Sequence, residues 1–439
     1  MEQDSAIWDH CLQHAALSDV GLRRANNQDS MAVIVAGSQE MWQRRGHLFM
    51  VADGMGAHAA GELASKLATD TVALTYPKLL EKSADEAIVA AIRDANTQIH
   101  TRGQANLDFK GMGTTSTVLV LIPQGAILAQ VGDSRAYRLR GDRFEQMTFD
   151  HSLVWEMRAA GQIPEDQVPD YVPKNIITRS LGPNPTVKID LEGPFPVEAG
   201  DTYLLCSDGL SGPVEDDEMG TIIGCLPPRE AVQALVDLAN LRGGPDNITV
   251  IVVRLTGPQM ARSSDSESEV PRLPASTRPV SPLLWTLLGV STLATLGASV
   301  MGYTLGAATT GYWLSAVICL GVAAITAVVV LTQRYAVREA TSQLDGRPLG
   351  KGPYSARMCR ADSQFFARAS ELVEQLRKAA EKEKRRIDWG RVDGLVDRAK
   401  AAQQSGDYKQ AVADEFRAIS ALMAQLKGQR DGDSHSNLL

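Results

Sequence analysis

Short apolar runs that end in an aspartate recur along the first part of the chain. The three clearest are Val51-Ala-Asp-Gly-Met-Gly56, Cys206-Ser-Asp-Gly209 and Gly243-Gly-Pro-Asp-Asn-Ile-Thr249. Apolar runs bounded by such turns are typical of strands, so the carboxylates are expected at strand ends that meet at one site. A glycine after the aspartate permits close backbone approach and leaves its carbonyl available as an oxygen donor. Hard oxygens without Cys or His favour Mg²⁺ or Mn²⁺ over zinc. The pattern predicts a two-metal centre suited to hydrolysis.

Composition limits the class of protein. The chain has 439 residues, too many for one ordinary core, so two or more units are expected. A net charge of -8 and the lack of a basic stripe in the first part argue against nucleic-acid binding. The five cysteines never form a CxxC pair, which is typical of a reducing compartment without disulfides. The acidic N-terminus lacks the features of a signal peptide.

Residues 12–255 alternate β-rich runs, helical stretches and Gly/Asp turns, which predicts a mixed α+β domain with antiparallel sheets. Helical periodicity covers 61–74 and 84–101. Strands are predicted over 115–122, 126–131 and 136–139. The composition then changes, and 256–282, rich in Ser and Pro, is predicted to be a flexible linker.

No Asp, Glu, Lys, Arg or His occurs between Pro279 and Gln333. Apolar segments at about 283–305 and 312–331 each approach the roughly 20 residues that span a bilayer as a helix. A buried core hairpin is the alternative. Basic residues flank both ends of this 283–332 region, which predicts an inner-membrane, multi-pass protein in contact with lipid, whose N-terminal domain and C-terminal tail are cytoplasmic.

After a second linker, 333–361, the chain becomes charged and helical again. Helical patterns cover 364–385, 392–404 and 411–426, and the last two flank a Ser-Gly-Asp-Tyr turn. They predict a tail over 362–428 that resembles half of a tetratricopeptide array. One such pair cannot bury a solenoid core, so a hairpin for a protein partner and a solvated tail both remain open.

Eight motifs of the first domain occur in a recognisable order. They are Ser18–Asp29, Val51–His58, Gly111–Thr115, Val131–Tyr137, Thr148–His151, Ile177–Gly182, Leu205–Gly209 and Gly243–Thr249. Together they resemble the PPM/PP2C family of metal-dependent protein Ser/Thr phosphatases, bacterial branch. The resemblance implies an αββα sandwich of two antiparallel sheets around a binuclear Mn²⁺/Mg²⁺ centre. It also implies phosphoserine and phosphothreonine proteins as substrates, expected to be targets of bacterial Ser/Thr kinases.

The resemblance also implies roles for individual residues. Asp53 would bridge the two metals, the Gly54 carbonyl would bind one of them, and Asp208 and Asp246 would bind the other. Asp29 would orient metal-bound water. Two further roles are implied: Asp150 would join Asp208 at a third, weaker metal, and Arg24 would grip the substrate phosphate with its guanidinium fork.

Two positions depart from the family pattern. Met55 stands where eukaryotic members carry a histidine that can protonate the leaving alkoxide, and Gln28 stands where many members have Glu. His58 is the candidate general acid, with packing or helix capping as the alternative. Asp133 and Arg135 are expected to form a structural pair. A signalling scaffold with a spent phosphatase site is the competing hypothesis, but Asp53, Asp208 and Asp246 are all present.

Overall fold

The computed structural model describes residues 8, 10–56, 59–163, 168–169, 172–173 and 176–257, isolated positions between 293 and 348, and residues 350–436. The described residues of Met1–Ser264 and Leu349–Leu439 form one compact unit. In the second unit, Asp265–Pro348, the described positions include an antiparallel pair of short strands, β12 (Gln343–Leu344) and β13 (Arg347–Pro348).

The first unit contains two antiparallel sheets. One sheet has the strand order β1-β11-β10-β7-β8-β14, and the other has the order β2-β3-β5-β6-β9 with β4 paired to β3. The strands are β1 (Leu12–Asp19), β2 (Asp29–Ile34), β3 (His47–Met55), β4 (Gly113–Thr114), β5 (Ser116–Ile122), β6 (Gly125–Val131), β7 (Arg135–Arg140), β8 (Arg143–Gln146), β9 (Asp190–Phe195), β10 (Thr202–Cys206), β11 (Ile248–Leu255) and β14 (Ser355–Met358).

Helices flank these sheets. They are α1 (Gln39–Arg45), α2 (Ala60–Thr75), α3 (Ala84–Ala105), α4 (Leu153–Ala159), α5 (Asp208–Ser211), α6 (Asp216–Cys225), α7 (Pro228–Leu241), α8 (Ser363–Lys382), α9 (Trp389–Gln404) and α10 (Tyr408–Ser436). The helices and strands predicted between 61 and 139 are confirmed, with boundaries that differ by a few residues. The two antiparallel sheets with flanking helices agree with the architecture that the resemblance implies.

The alternation of side chains along each strand explains how one sheet contributes to two cores. In β10, Tyr203 and Leu205 belong to the core between the sheets, together with Phe49 and Leu119 of the other sheet. Leu204 and Cys206 point the opposite way, into a core shared with α6 and α7. Because successive side chains of a strand face opposite sides, one apolar run supplies both cores.

The C-terminal helices extend this second core. Phe365 of α8, Val392 of α9 and Phe416 of α10 are buried in the same cluster as Ile222 of α6 and Leu235 of α7. Strand β14 pairs with β8, from Ser355 opposite Gln146 to Met358 opposite Arg143. We call α8, α9 and α10 the C-terminal bundle.

The membrane assignment requires correction. Within the described ranges, no helix is long and apolar enough to cross a membrane. The long helices there carry charge throughout: α3 includes Asp85, Arg93 and Arg102. A charged side chain near the middle of a helix opposes its transfer into lipid, so such helices cannot span a bilayer. The prediction of a multi-pass membrane protein is therefore wrong on this finding. The predicted spans at 283–305 and 312–331 lie, apart from isolated positions, outside the described residues.

Candidate metal centre

Neighbouring strands place the first two acidic side chains opposite each other. Strand β2 begins at Asp29, and its antiparallel register pairs Asp29 with Asp53 of β3. Gly54 follows directly, so its carbonyl lies at the same end of β3. Two carboxylates and one backbone oxygen are thereby brought to the same end of these two strands.

The other sheet supplies two more carboxylates at the ends of its strands. Asp208 begins α5 just after β10, and Asp246 lies just before β11, which is hydrogen-bonded to β10. The Ser207 N–H donates to the Thr249 carbonyl at 3.0 Å, which fixes the two turns side by side. The charge of Asp208 acts on Asp53 of the other sheet and raises its pKa, so the two carboxylates lie close to each other. The sandwich thus closes the site from both layers.

Glycine is required after two of these aspartates because other backbone segments pass very close. A Cβ on Gly209 would lie 1.9 Å from the Asn247 carbonyl oxygen, and one on Gly54 would lie 2.1 Å from that of Gly61. Both distances are far below van der Waals contact. The Asp-Gly dipeptides therefore serve tight packing of the turns as well as the exposure of backbone oxygen.

The buried carboxylates repel one another. Burial, followed by the charges of Asp29 and Asp208, raises the pKa of Asp53 well above its ordinary value. Burial also raises the pKa of Asp29 to about 7, although Ser207 Oγ donates a hydrogen bond to Asp29 Oδ2 at 2.7 Å and opposes the shift. Burial and the charge of Asp246 raise the pKa of Asp208. This excess of negative charge is the condition that bound cations relieve.

Unpartnered oxygens show that the residues fit divalent cations. Asp29 Oδ1, Asp133 Oδ1 and Asp208 Oδ1 are buried and accept no hydrogen bond. Buried carboxylate oxygens normally have a donor or a metal as partner, and carboxylates suit Mg²⁺ and Mn²⁺. No three Asp, Glu, His or Cys side chains among the described residues already surround one point. These side chains would therefore hold a cation together with backbone oxygen, such as the Gly54 carbonyl, and water.

Arg24 lies at the rim of the site. Its Nη2 donates to Asp246 Oδ2 at 2.6 Å, and its side chain is 49% exposed. The backbone N–H groups of Leu22 and Arg23 donate to the Gly244 carbonyl and hold this loop in place. The guanidinium is thus tethered beside the carboxylates and keeps donors for an incoming anion.

Asn247 is a positioning residue that the sequence reasoning missed. Its Oδ1 accepts from the Gln28 N–H at 2.8 Å, and its Nδ2 donates to the carbonyls of Val20 and Asn26. It therefore joins both ends of the Arg24 loop to the turn that carries Asp246. In the sequence, its position directly after Asp246 could have indicated this role.

Asp150 and Asp133 have the reverse of the contacts expected from the sequence. Asp150 is buried and already paired, since Arg135 Nε donates to its Oδ2 at 2.8 Å and Gln146 Nε2 to its Oδ1 at 2.7 Å. Asp133 instead has the unpartnered Oδ1, and burial, then the charges of Asp208 and Asp150, raise its pKa to about 7. The expected pair of Asp133 with Arg135 is therefore wrong. Asp133 repeats the pattern of an apolar run followed by Asp, since β6 ends at Val131.

Two further sequence predictions concern the surroundings of the site. His58 lies outside the described residues. Gln28 is held by the backbone: its carbonyl accepts from Ser65 Oγ at 2.6 Å, and its Nε2 donates to the Gly56 carbonyl at 3.4 Å.

Comparisons with known proteins agree with this site. The profile of the Protein phosphatase 2C family matches residues 23–238. Protein phosphatase PhpP of Streptococcus pneumoniae is 36% identical over 249 residues, which cover 56% of this chain and 98% of PhpP. The crystal structure of the Mycobacterium tuberculosis serine/threonine phosphatase PstP/Ppp is 35% identical, covers 56% of this chain and 100% of that one, and gives a TM-score of 0.50.

A structure of the PstP catalytic domain in complex with 2 manganese ions is also 35% identical, covers 56% of this chain and 99% of that one, and gives a TM-score of 0.48. The relatives are named as protein phosphatases, which are enzymes. The match covers nearly the whole length of PhpP, and six of the eight motifs lie entirely within residues 23–238. This chain therefore belongs to the protein phosphatase 2C family and is a bacterial-type serine/threonine protein phosphatase.

Proposed function

We propose that the chain hydrolyses phosphoserine and phosphothreonine in proteins with two Mn²⁺ or Mg²⁺ ions, held by Asp53, the Gly54 carbonyl, Asp208 and Asp246. The observation that carries this proposal is the convergence of buried carboxylates from both sheets, with an unpartnered oxygen on Asp208. Bound ions of this kind lower the pKa of water and stabilise charge on phosphoryl oxygens. Substrates phosphorylated by bacterial Ser/Thr kinases suit this chemistry.

The residues around the carboxylates have separate tasks. Arg24, tethered to Asp246, binds the substrate phosphate and fixes its orientation. Asp29, whose Oδ2 is held by Ser207, presents its other oxygen to water in the site and orients it. His58 is the proposed proton donor to the leaving alkoxide, on the basis of its position three residues after Met55.

The third, weaker cation is better assigned to Asp133 and Asp208 than to Asp150. Both oxygens of Asp150 already accept hydrogen bonds from protein donors. Asp133 and Asp208 each keep a buried oxygen without a partner, and their charges act on one another. Asp150 then has the task of holding Arg135.

The test is hydrolysis of para-nitrophenyl phosphate and of a phosphothreonine peptide by the full chain, with and without Mn²⁺. We expect turnover that requires Mn²⁺ and is lost in Asp208→Asn. Asp142→Asn is the matched control, because Asp142 pairs with Arg360 at the surface, away from the centre. Absence of Mn²⁺-dependent turnover in a folded sample, or full activity in Asp208→Asn, refutes the assignment.

A further inference from the structure

The C-terminal bundle contacts the residue that precedes the loop carrying Arg24. Lys427 of α10 donates from its Nζ to Asp19 Oδ2 at 2.9 Å. Asp19 is the last residue of β1, directly before the loop that leads to Arg24 and Asp29. The ion pair joins residues that are 408 positions apart in the chain. Part of the molecule outside the matched family region thus reaches the phosphate-binding loop.

Asp19 joins three elements at this point. Its Oδ1 accepts from the Gly21 N–H at 2.9 Å and from Asn240 Nδ2 of α7 at 3.2 Å, while Lys427 occupies Oδ2. The pair is partly buried, with 36% of the Lys427 side chain and 23% of the Asp19 side chain exposed. With both oxygens occupied, the carboxylate has one orientation.

The loop beyond Asp19 has little freedom to compensate for a shift. Gly21 adopts φ +78°, and a Cβ there would lie 2.1 Å from the Asp246 carbonyl oxygen. Leu22 and Arg23 are bonded to Gly244 on the same neighbouring turn. A displacement of Asp19 is therefore passed along the backbone to Arg24 and to the turn that holds Asp246.

We propose that Lys427 is a positioning residue for substrate binding, which acts through Asp19 and Gly21 on Arg24. The proposal rests on the proposed function, in which Arg24 binds the phosphate. It makes the last helix of the C-terminal bundle a part of the phosphatase site. Any partner that pulls α10 away from Asp19 thereby weakens substrate binding.

Three variants of the full chain test this role: Lys427→Gln, Lys427→Arg and Arg417→Gln. Lys427→Arg keeps the charge. Arg417 is the matched control, because it also joins α10 to α7, through Glu230 at 2.6 Å. Glu230 lies ten residues before Asn240, about 15 Å along the helix axis. Loss of the Arg417 ion pair loosens the bundle without touching Asp19.

We expect Lys427→Gln to raise the KM for the phosphothreonine peptide about threefold, which is the scale of one partly exposed ion pair. The kcat and the Mn²⁺ concentration for half-maximal activity should change less than twofold. Lys427→Arg and Arg417→Gln should both have the KM of the original chain. An unchanged KM in Lys427→Gln, or an equal rise in Arg417→Gln, overturns the proposal.

A second measurement does not depend on turnover. Hydrogen exchange of the amides of residues 20–24 should become faster in Lys427→Gln, and it should stay at the original rate in Arg417→Gln. If the original chain shows no Mn²⁺-dependent hydrolysis, the proposed function fails, whereas this exchange still tests the link from Lys427 to the loop. Unchanged exchange in Lys427→Gln refutes the link itself.

Discussion

Asp29 shows how a single carboxylate can be shared between structure and chemistry. One oxygen accepts the Ser207 hydroxyl at 2.7 Å, and the other is buried without a partner. The first contact fixes the side chain, so the second oxygen points to a defined place beside Asp53. Asp208 also has a buried oxygen without a partner, whereas both oxygens of Asp150 are occupied by protein donors.

Replacement of Asp29 by Asn should reduce activity while the fold is kept. The amide still accepts from Ser207, but it carries no charge towards the metal centre. Removing such a water-orienting contact typically costs about 10- to 100-fold in activity or metal affinity. Steady-state kinetics with Mn²⁺ titration measure the loss, and circular dichroism checks the fold. Activity within twofold of the original chain contradicts the assigned role.

The metal-free protein should become less stable as the pH rises from 5.5 to 8. The folded-state pKa values of Asp29 and Asp133 are raised to about 7 from an ordinary value of 3.8. The folded protein therefore binds protons more tightly than the unfolded chain, so this stabilisation is complete below about pH 4 and is lost as the pH rises through about 7. Thermal unfolding in EDTA at both pH values measures the change.

Asp133→Asn is the control for this pH effect, since it removes one of the titrating groups and should reduce the difference between the two pH values. Mn²⁺ should raise the melting temperature more at pH 8 than at pH 5.5, because protons compete with the metal for the carboxylates. A pH dependence that is identical in the variant would show that Asp133 does not titrate in this range.

At the scale of elements, the turns after β3 and β10 decide the geometry of the centre. The Cβ position on Gly209 lies 1.9 Å from the Asn247 carbonyl oxygen, so the turn after β10 and the turn before β11 touch through their backbones. The contact keeps Asp208 and Asp246 adjacent. The strands direct the two turns towards each other, and the glycine allows their backbones to come this close.

Gly209→Ala should force these turns apart. Overpacking of this kind costs about 1–3 kcal/mol, and the separation of Asp208 from Asp246 should also weaken Mn²⁺ binding. Chemical denaturation and calorimetric Mn²⁺ titration measure the two effects. Gly394→Ala in α9 is the matched control, because nothing lies within 4 Å of its Cβ position. Similar Mn²⁺ affinity in both variants would falsify this explanation of the glycine.

At the scale of the whole molecule, the catalytic sheets and the C-terminal bundle share one core. Strand β14 covers the edge of β8, and Glu192 of β9 accepts from the N–H groups of Lys351 and Gly352 at 2.7 and 2.8 Å and from the Tyr354 hydroxyl. The segment before the bundle is thus bonded to both sheets. The family profile matches residues 23–238, so the bundle lies outside the matched region.

Phe365→Ala in the bundle should therefore destabilise the phosphatase part as well. Truncation of a buried Phe costs about 3–5 kcal/mol, and Phe365 is 5% exposed in the core shared with α6 and α7. We expect one unfolding transition, shifted to lower temperature and still raised by Mn²⁺. Leu107→Ala, at an 86% exposed position, is the control. A Mn²⁺-sensitive transition that does not move in Phe365→Ala would mean that the two parts unfold independently.

The sequence by itself determined the family and the two-sheet class, and it indicated the strand-end aspartates that the structure brings together. This was possible because alternation, turn glycines and strand-end carboxylates are local patterns, each readable within about ten residues. Local patterns also located the helices of the bundle. They could not show that Asp150 pairs with Arg135 while Asp133 keeps an unpartnered oxygen.

Only the tertiary structure decided where the C-terminal bundle packs and what Lys427 contacts. An ion pair such as that of Lys427 with Asp19 depends on how a late helix docks on an early strand, and no spacing in the sequence records it. The membrane prediction had the same weakness, because it rested on local patterns, namely apolar length and basic flanking residues. Local chemistry thus identifies which residues are suited to the reaction, whereas long-range packing decides which of them meet.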